Sequence, residues 1–266
     1  VRDLRLPVLI ARDASRKASR IIAASSAIDE YLVEILSLRT LGRIRVVHNG
    51  IDPARFANGN KARARQNFGL PPEGPVIGMI AHLIPWKRHD AFIQAAAEIH
   101  LQRPDAHFVV VGRDLFHEHS RWEAQLEQQV ANSGLSDSFH WLKDCDATHD
   151  ILPAFDMLVH PALHEPFGRV ICEAMAAAIP VIAAESGGPA TIIKQRVSGI
   201  LVRDGDPKQI AVEALALLAD PAKAGKIGAA GHNLILNQYT TQHVCEKLVK
   251  EYRALLTETT VRRDDD

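Results

Sequence analysis

No stretch of this 266-residue chain is apolar for long enough to cross a bilayer, and the opening RDLRLPVLIARD has too short an apolar core for a secretory signal. An excess of one charge is equally lacking. Its 31 basic and 32 acidic side chains leave a net charge of −1, so bulk electrostatics point to no nucleic-acid or membrane partner. The three cysteines, Cys145, Cys172 and Cys245, lie far apart, so buried or free thiols are expected, which favours a reducing, cytoplasmic setting. No GxGxxG follows a strand and no GxxxxGK[ST] occurs, which argues against a dinucleotide oxidoreductase and a P-loop NTPase; no G-x-S-x-G elbow is present. His117 and His119 are read as solvent-exposed loop histidines, with no metal expected there. No internal repeat is found. What remains is a composition of 47% apolar and 24% charged residues, ordinary for a globular protein with a real core, in one large domain or two small ones.

The most informative stretch runs from Asp156 to Ile193, DMLVHPALHEPFGRVICEAMAAAIPVIAAESGGPATII. It reads as a strand, a loop through Gly168, a helix, a strand from Val181 to Ala184, and a Gly187-Gly188 loop opening another helix: a parallel βαβ unit. Val170, Ile171, Ala174, Met175 and Ala178 fall on one side of the first helix. Glu173 falls off that stripe, where solvent exposure is the default. Gly168 and Gly187-Gly188 both stand where backbone amides at a helix start can face an anion.

Elsewhere the same alternation recurs. Strands are expected at 20–25, 44–48, 76–80, 107–111, 139–142, 157–160, 181–184 and 200–202, with helices at 26–38, around 91–99, 122–130 and 151–155, and at 207–219 and 244–256. Ser26 is the expected N-cap of the first helix. The fold class is therefore α/β, a doubly wound parallel sheet of Rossmann-like type. In such sheets ligands bind beyond the carboxyl ends of the strands. His82, Lys87 and Arg88 follow one strand, Gly112-Arg113-Asp114 the next, then Lys143-Asp144, Glu165 with Gly168, and Glu185 to Gly188, so the polar residues gather on one edge. Lys87 is suited to a diphosphate, although a lone loop lysine is ordinarily just solvated. His160 and His164 flank the key loop; a histidine at a buried strand end is ordinarily structural.

EPFGRVICEAMAAAIPVIA followed by ESGGPATII, supported by HLIPWKR, resembles the donor-binding half of retaining glycosyltransferases of the GT-B fold, the class of glycogen synthase and sucrose synthase. The similarity covers roughly residues 20–256. It implies transfer of a sugar from a UDP- or GDP-sugar co-substrate, without another cofactor, to a glycan, lipid or small-molecule acceptor. It also implies Glu165 beside the sugar, Glu173 on the ribose hydroxyls, Lys87 on the diphosphate with His82 and Arg88 nearby, Leu142-Lys143 at the base, and the backbone of Phe167, Gly168 and Val170 near sugar and phosphates. The sequence departs from the family's pattern at His82 (usually arginine), Ala178 (usually glycine) and Thr191 (usually glutamate). The resemblance divides the chain into 1–50, the end of an acceptor-side domain; 51–72, a hinge; 73–240, the nucleotide-sugar-binding domain; 241–258, a helix packing towards the acceptor side; and 259–266, a disordered tail. More sequence is expected before Val1, and any peripheral membrane contact is left to it. The rival functions are a non-catalytic nucleotide-sugar-binding module and an epimerase of similar fold. With the acceptor side lacking, the apolar face Val244, Leu248, Tyr252 and Leu255 is expected to be exposed and to drive self-association.

Overall fold

Six parallel strands, β3 (Val76–Ile80), β4 (His107–Val111), β5 (Phe139–Leu142), β6 (Met157–His160), β7 (Val181–Ala184) and β8 (Ile200–Val202), form one sheet in the order β5-β4-β3-β6-β7-β8. They belong to a computed structural model that describes residues 18–36, 42–115, 117–145 and 147–264. All six coincide with the runs expected from sequence. Valine, isoleucine and leucine dominate these runs, and a strand buried on both faces reads as a short continuous apolar segment. Alternate residues feed two cores. Val76, Val109, Leu158, Val181 and Leu201 pack to one side, and Ile77, Val110, Val159, Ile182 and Val202 to the other. The second core is closed by α3 (His89–Gln102), α4 (Ser120–Asn132) and α8 (Pro207–Ala219), the first by α6 (Arg169–Ala176) and α9 (Pro221–Gln238).

The chain winds outward from β3 to β5, returns to the far side of β3 as β6, and winds outward again. The direction of winding thus reverses between β3 and β6, which opens a crevice at their carboxyl ends.

A second, two-stranded parallel sheet pairs β1 (Ile21–Ala23) with β2 (Ile44–Val46), connected through α1 (Ser26–Leu36). Positions 37 and 38, expected as the end of α1, and the opening segment lie outside the described residues. The cap of α1 is Ser25 instead of Ser26: its hydroxyl accepts from Ile28 N at 3.2 Å and donates to Pro166 O at 2.5 Å.

Three segments depart from expectation. The segment expected as a hinge contains a 3-10 turn (Pro53–Phe56) and the helix α2 (Lys61–Asn67). Arg65 buries its stem there and hydrogen-bonds Asp156 Oδ2 at 2.9 Å and the carbonyls of Ala154, Pro71 and Pro72, so α2 is fastened to the base of β6. Helix α9 lies in a glycine-rich stretch and packs closely because Gly228 and Gly231 have no side chain: a Cβ on Gly228 would sit 2.1 Å from Ala178 O. Residues 259–264 of the expected disordered tail are instead the end of α10 (Thr241–Asp264), since no proline or glycine interrupts TQHVCEKLVKEYRALLTETTVRRD. The expected apolar face of α10 is split. Val244, Leu248 and Leu255 are half-buried, whereas Tyr252 is 63% exposed. No helix among the described residues is long and apolar enough to cross a membrane.

Candidate nucleotide-sugar site

The crevice between β3 and β6 opens into a cavity of about 460 Å³ lined by His82 and Lys87 after β3, Gly112 and Arg113 after β4, Lys143 after β5, and Glu165, Gly168, Arg169, Val170 and Glu173 after β6. The two halves of the sheet meet across it. Lys87, on the 3-10 turn Pro85–Lys87, places Nζ 2.5 Å from Oε2 of Glu165, so one ion pair bridges the reversal of winding. A larger cavity of about 580 Å³ lies at the opposite, amino ends of the strands, with only Arg103, Asp105 and Asp156 charged in its lining, away from this cluster.

Glu165 is only 8% exposed and is held by more than Lys87. His160 Nε2, at the end of β6, lies 3.1 Å from the same Oε2. Burial pushes the Glu165 pKa upward, but the hydrogen bond from His160 and the charge of Lys87 outweigh it and hold the pKa at about 2. The carboxylate is therefore ionised throughout the neutral range. Its backbone is pinned as well. Gly188 N donates to Glu165 O at 2.7 Å, and a Cβ on Gly188 would lie 2.3 Å from Phe167 O. The Gly188 amide, expected to face an anion, is thus taken up by the Glu165 carbonyl, and the Gly187-Gly188 pair allows close approach of one loop to the other. Gly112 does the same on the far wall, where a Cβ would meet Ala81 O at 2.0 Å.

Gly168, at φ 93°, starts α6 in a left-handed conformation that glycine tolerates. The first N–H groups of α6 have no intrahelical acceptor and carry the positive end of the helix dipole beside the cavity. Glu173, one turn in, is 6% exposed and accepts from Arg169 Nε at 2.9 Å. It is buried against expectation, because the 3-10 turn at Pro53–Phe56 packs against α6 from outside.

Seven of the residues singled out from sequence line the cavity: His82, Lys87, Lys143, Glu165, Gly168, Val170 and Glu173. Arg88, Leu142 and Phe167 do not. Arg88 adopts φ 60° as the cap of α3 with its guanidinium 3.4 Å from Asp90. Leu142 packs on the core. Phe167 is buried behind the site, stacked on His48 at 5.9 Å and 6.4 Å from Tyr239. Arg113, named from its place after β4, also lines the site, and Arg169 does so without having been named for it. Arg113 was legible as a loop cation after β4, whereas a charged residue on an exposed helix face, as Arg169 is, gives no signal of its own. His82 is a weak cation here: partial burial, Lys87 and Arg113 all lower its pKa. Ala178, where the family usually has glycine, adopts φ 57° just beyond α6, a conformation that suits glycine. Thr191 donates its hydroxyl to Gly188 O at 2.7 Å and so serves the loop itself.

Residues 60–234 match the family described as Glycosyl transferases group 1. The chain belongs to that family. Two relatives are similar along most of this chain. D-inositol 3-phosphate glycosyltransferase 2 of Catenulispora acidiphila is 30% identical over 249 residues, which are 90% of this chain and 58% of that protein. D-inositol 3-phosphate glycosyltransferase of Nocardia farcinica is 30% identical over 248 residues, 91% of this chain and 54% of that protein. The chain thus spans little more than half the length of these relatives. Among solved structures, Anabaena Alr3699/HepE in complex with UDP and glucose superimposes with a TM-score of 0.85 at 25% identity, covering 92% of this chain and 66% of that one. The fold also recurs in sucrose-phosphate synthase of Thermosynechococcus elongatus, with a TM-score of 0.81 at 24% identity over 94% of this chain and 62% of that one. The doubly wound GT-B donor fold expected from sequence is the fold observed.

Proposed function

We propose that this chain is the donor-binding part of a retaining glycosyltransferase that takes its sugar from a UDP- or GDP-sugar. The observation that carries it is the Lys87–Glu165 pair at the reversal of winding, with Glu173 and the start of α6 on the same cavity wall. A nucleoside diphosphate needs cations and N–H groups where charge builds up on the leaving group, and Lys87, Arg113 and the α6 amides supply them. In this reading buried Glu173 makes a charge-assisted hydrogen bond to the ribose hydroxyls, and Glu165, ionised and clamped, meets the sugar; their burial at the cavity wall supports it. The similarity to a structure holding UDP and glucose supports the donor class. The resemblance of EPFGRVICEAMA to retaining enzymes supports the stereochemical outcome. The cavity residues belong to the donor side, so glycan, lipid and small-molecule acceptors all remain within the proposal, as does a cytoplasmic setting.

Calorimetric titration with UDP, UDP-glucose, GDP and GDP-mannose tests this. One nucleotide pair is expected to bind, and Glu173→Ala is expected to weaken it about tenfold, the worth of one charge-assisted hydrogen bond. Affinity that ignores Glu173→Ala removes the ribose role, and no binding of any of the four removes the reading.

A further inference from the structure

Two imidazoles are buried behind the cavity. His160 closes β6 and His89 opens α3, and both are fully shielded from solvent. Neither ring nitrogen of His89 makes a hydrogen bond of good geometry, the Ala81 backbone offering only a weak one, and Nδ1 of His160 makes none. The remaining nitrogen, Nε2 of His160, meets Oε2 of Glu165 at 3.1 Å. Lys87 meets the same oxygen. Both contacts therefore converge on Oε2, while among the described residues Oε1 has no hydrogen-bond partner on the cavity side.

The proton on His160 can be placed. Glu165 is ionised and cannot donate, so the hydrogen lies on Nε2 and the bare Nδ1 is the unprotonated nitrogen. Burial keeps the ring neutral, opposed by Glu165 and reinforced by the charge of Lys87. His89, the other titratable group against it, is held neutral by burial. The result is a single donor in one tautomer on the end of a central strand. Lys87 is different in kind: a long side chain with three donors, on a short turn, facing the cavity. A diphosphate entering the site competes for it. A buried carboxylate that loses its only cation is costly and tends to protonate.

We propose that His160 is a positioning residue for the sugar-binding carboxylate: its Nε2–H fixes Oε2 of Glu165, so that Oε1 stays presented to the donor's sugar when Lys87 turns to the diphosphate. This rests on the nucleotide-sugar reading above. It assigns a task to a buried histidine that would otherwise count as core.

The test compares a nucleotide with its sugar conjugate on the full 266-residue chain. UDP and UDP-glucose, with GDP and GDP-mannose alongside, are titrated at pH 7.5 into the wild type, His160→Leu, His160→Gln and His160→Asn, each checked by thermal melting. The readout is the affinity for the conjugate divided by that for the nucleotide. It is expected to fall about tenfold in His160→Leu and His160→Asn, since leucine has no N–H and the asparagine amide is too short to reach Glu165. His160→Gln, whose amide nitrogen occupies the place of imidazole Nε2, is expected to keep most of it. If the leucine variant does not fold, the asparagine and glutamine variants carry the comparison. A ratio unchanged across the variants, an equal loss for nucleotide and conjugate, or a glutamine variant as impaired as the asparagine one overturns the proposal. A wild type that binds neither nucleotide nor conjugate sinks the nucleotide-sugar reading, and the inference falls with it.

Discussion

The two sheets of this protein are held in different ways. Every residue of β6, β7 and β8 is buried, as is nearly all of β3 and β4, whereas in β1 and β2 only Ala23 is buried. The large sheet is covered on both faces by its own helices. The small one relies on side chains from elsewhere: Glu251 of α10 lies 3.4 Å from Arg20 and 3.5 Å from Arg45, and Ser25 is bonded to the loop that carries Glu165. Two strands alone are marginal in water. The difference teaches that the candidate site is built by the self-sufficient sheet, while the small sheet is an adjunct fastened to it.

The comparison breaks most violently at the junction of the two loops behind the site. Gly188→Ala pushes a Cβ against three backbone atoms of Phe167, all within 2.6 Å, so one loop must move. A loss of about 3 kcal/mol is expected by denaturant unfolding, together with donor binding. Preserved stability would mean that the loops yield freely.

Acid should strike the large sheet through His89. Its pKa is held at about 3 by burial, with the Ala81 backbone opposing and the neighbouring His160 and Lys87 adding to the effect. The unfolded chain takes the proton first, near pH 6.5, so stability is complete above that pH and falls as pH drops from 6.5 towards 3. Between pH 7.5 and 5 this contributes up to about 2 kcal/mol. Unfolding midpoints across that range should flatten in His89→Leu; an equally steep profile would place the acid sensitivity elsewhere.

Ala178→Gly should act in the other direction. It relieves the left-handed φ of 57° at the end of α6 and is expected to gain about 1 kcal/mol, visible as a raised melting temperature. The smallest effect sharpens the comparison most cleanly. Glu251→Gln should speed amide exchange in β1 and β2 while costing under about 1 kcal/mol and leaving β3 to β8 as protected as before.

Five strands of the large sheet, all but β5, are buried or nearly so and could be read from sequence because burial on both faces demands consecutive apolar residues, and such runs need no tertiary context to be recognised. Other features depended on partners far away in the chain. KARARQN has no apolar stripe, and its helix is secured by Arg65 finding Asp156. The glycines of α9 argue against a helix until Ala178 and Ser198 are seen pressed against Gly228 and Gly231. In the site, Lys87, Glu165 and Glu173 were legible through their positions after strands and through family resemblance. That Glu173 is buried, that Arg88 turns away to cap α3, and that His160 holds Glu165 were not, since each depends on what packs against it in three dimensions.

The central claim is that the Lys87 end of the cavity receives the diphosphate of a nucleotide. Affinities for UDP and for uridine, measured by calorimetry in the wild type and in Lys87→Met, test it most directly. The account predicts that the wild type prefers UDP, and that Lys87→Met lowers UDP affinity about tenfold or more while leaving uridine unchanged. A preference for UDP that survives Lys87→Met intact would contradict it.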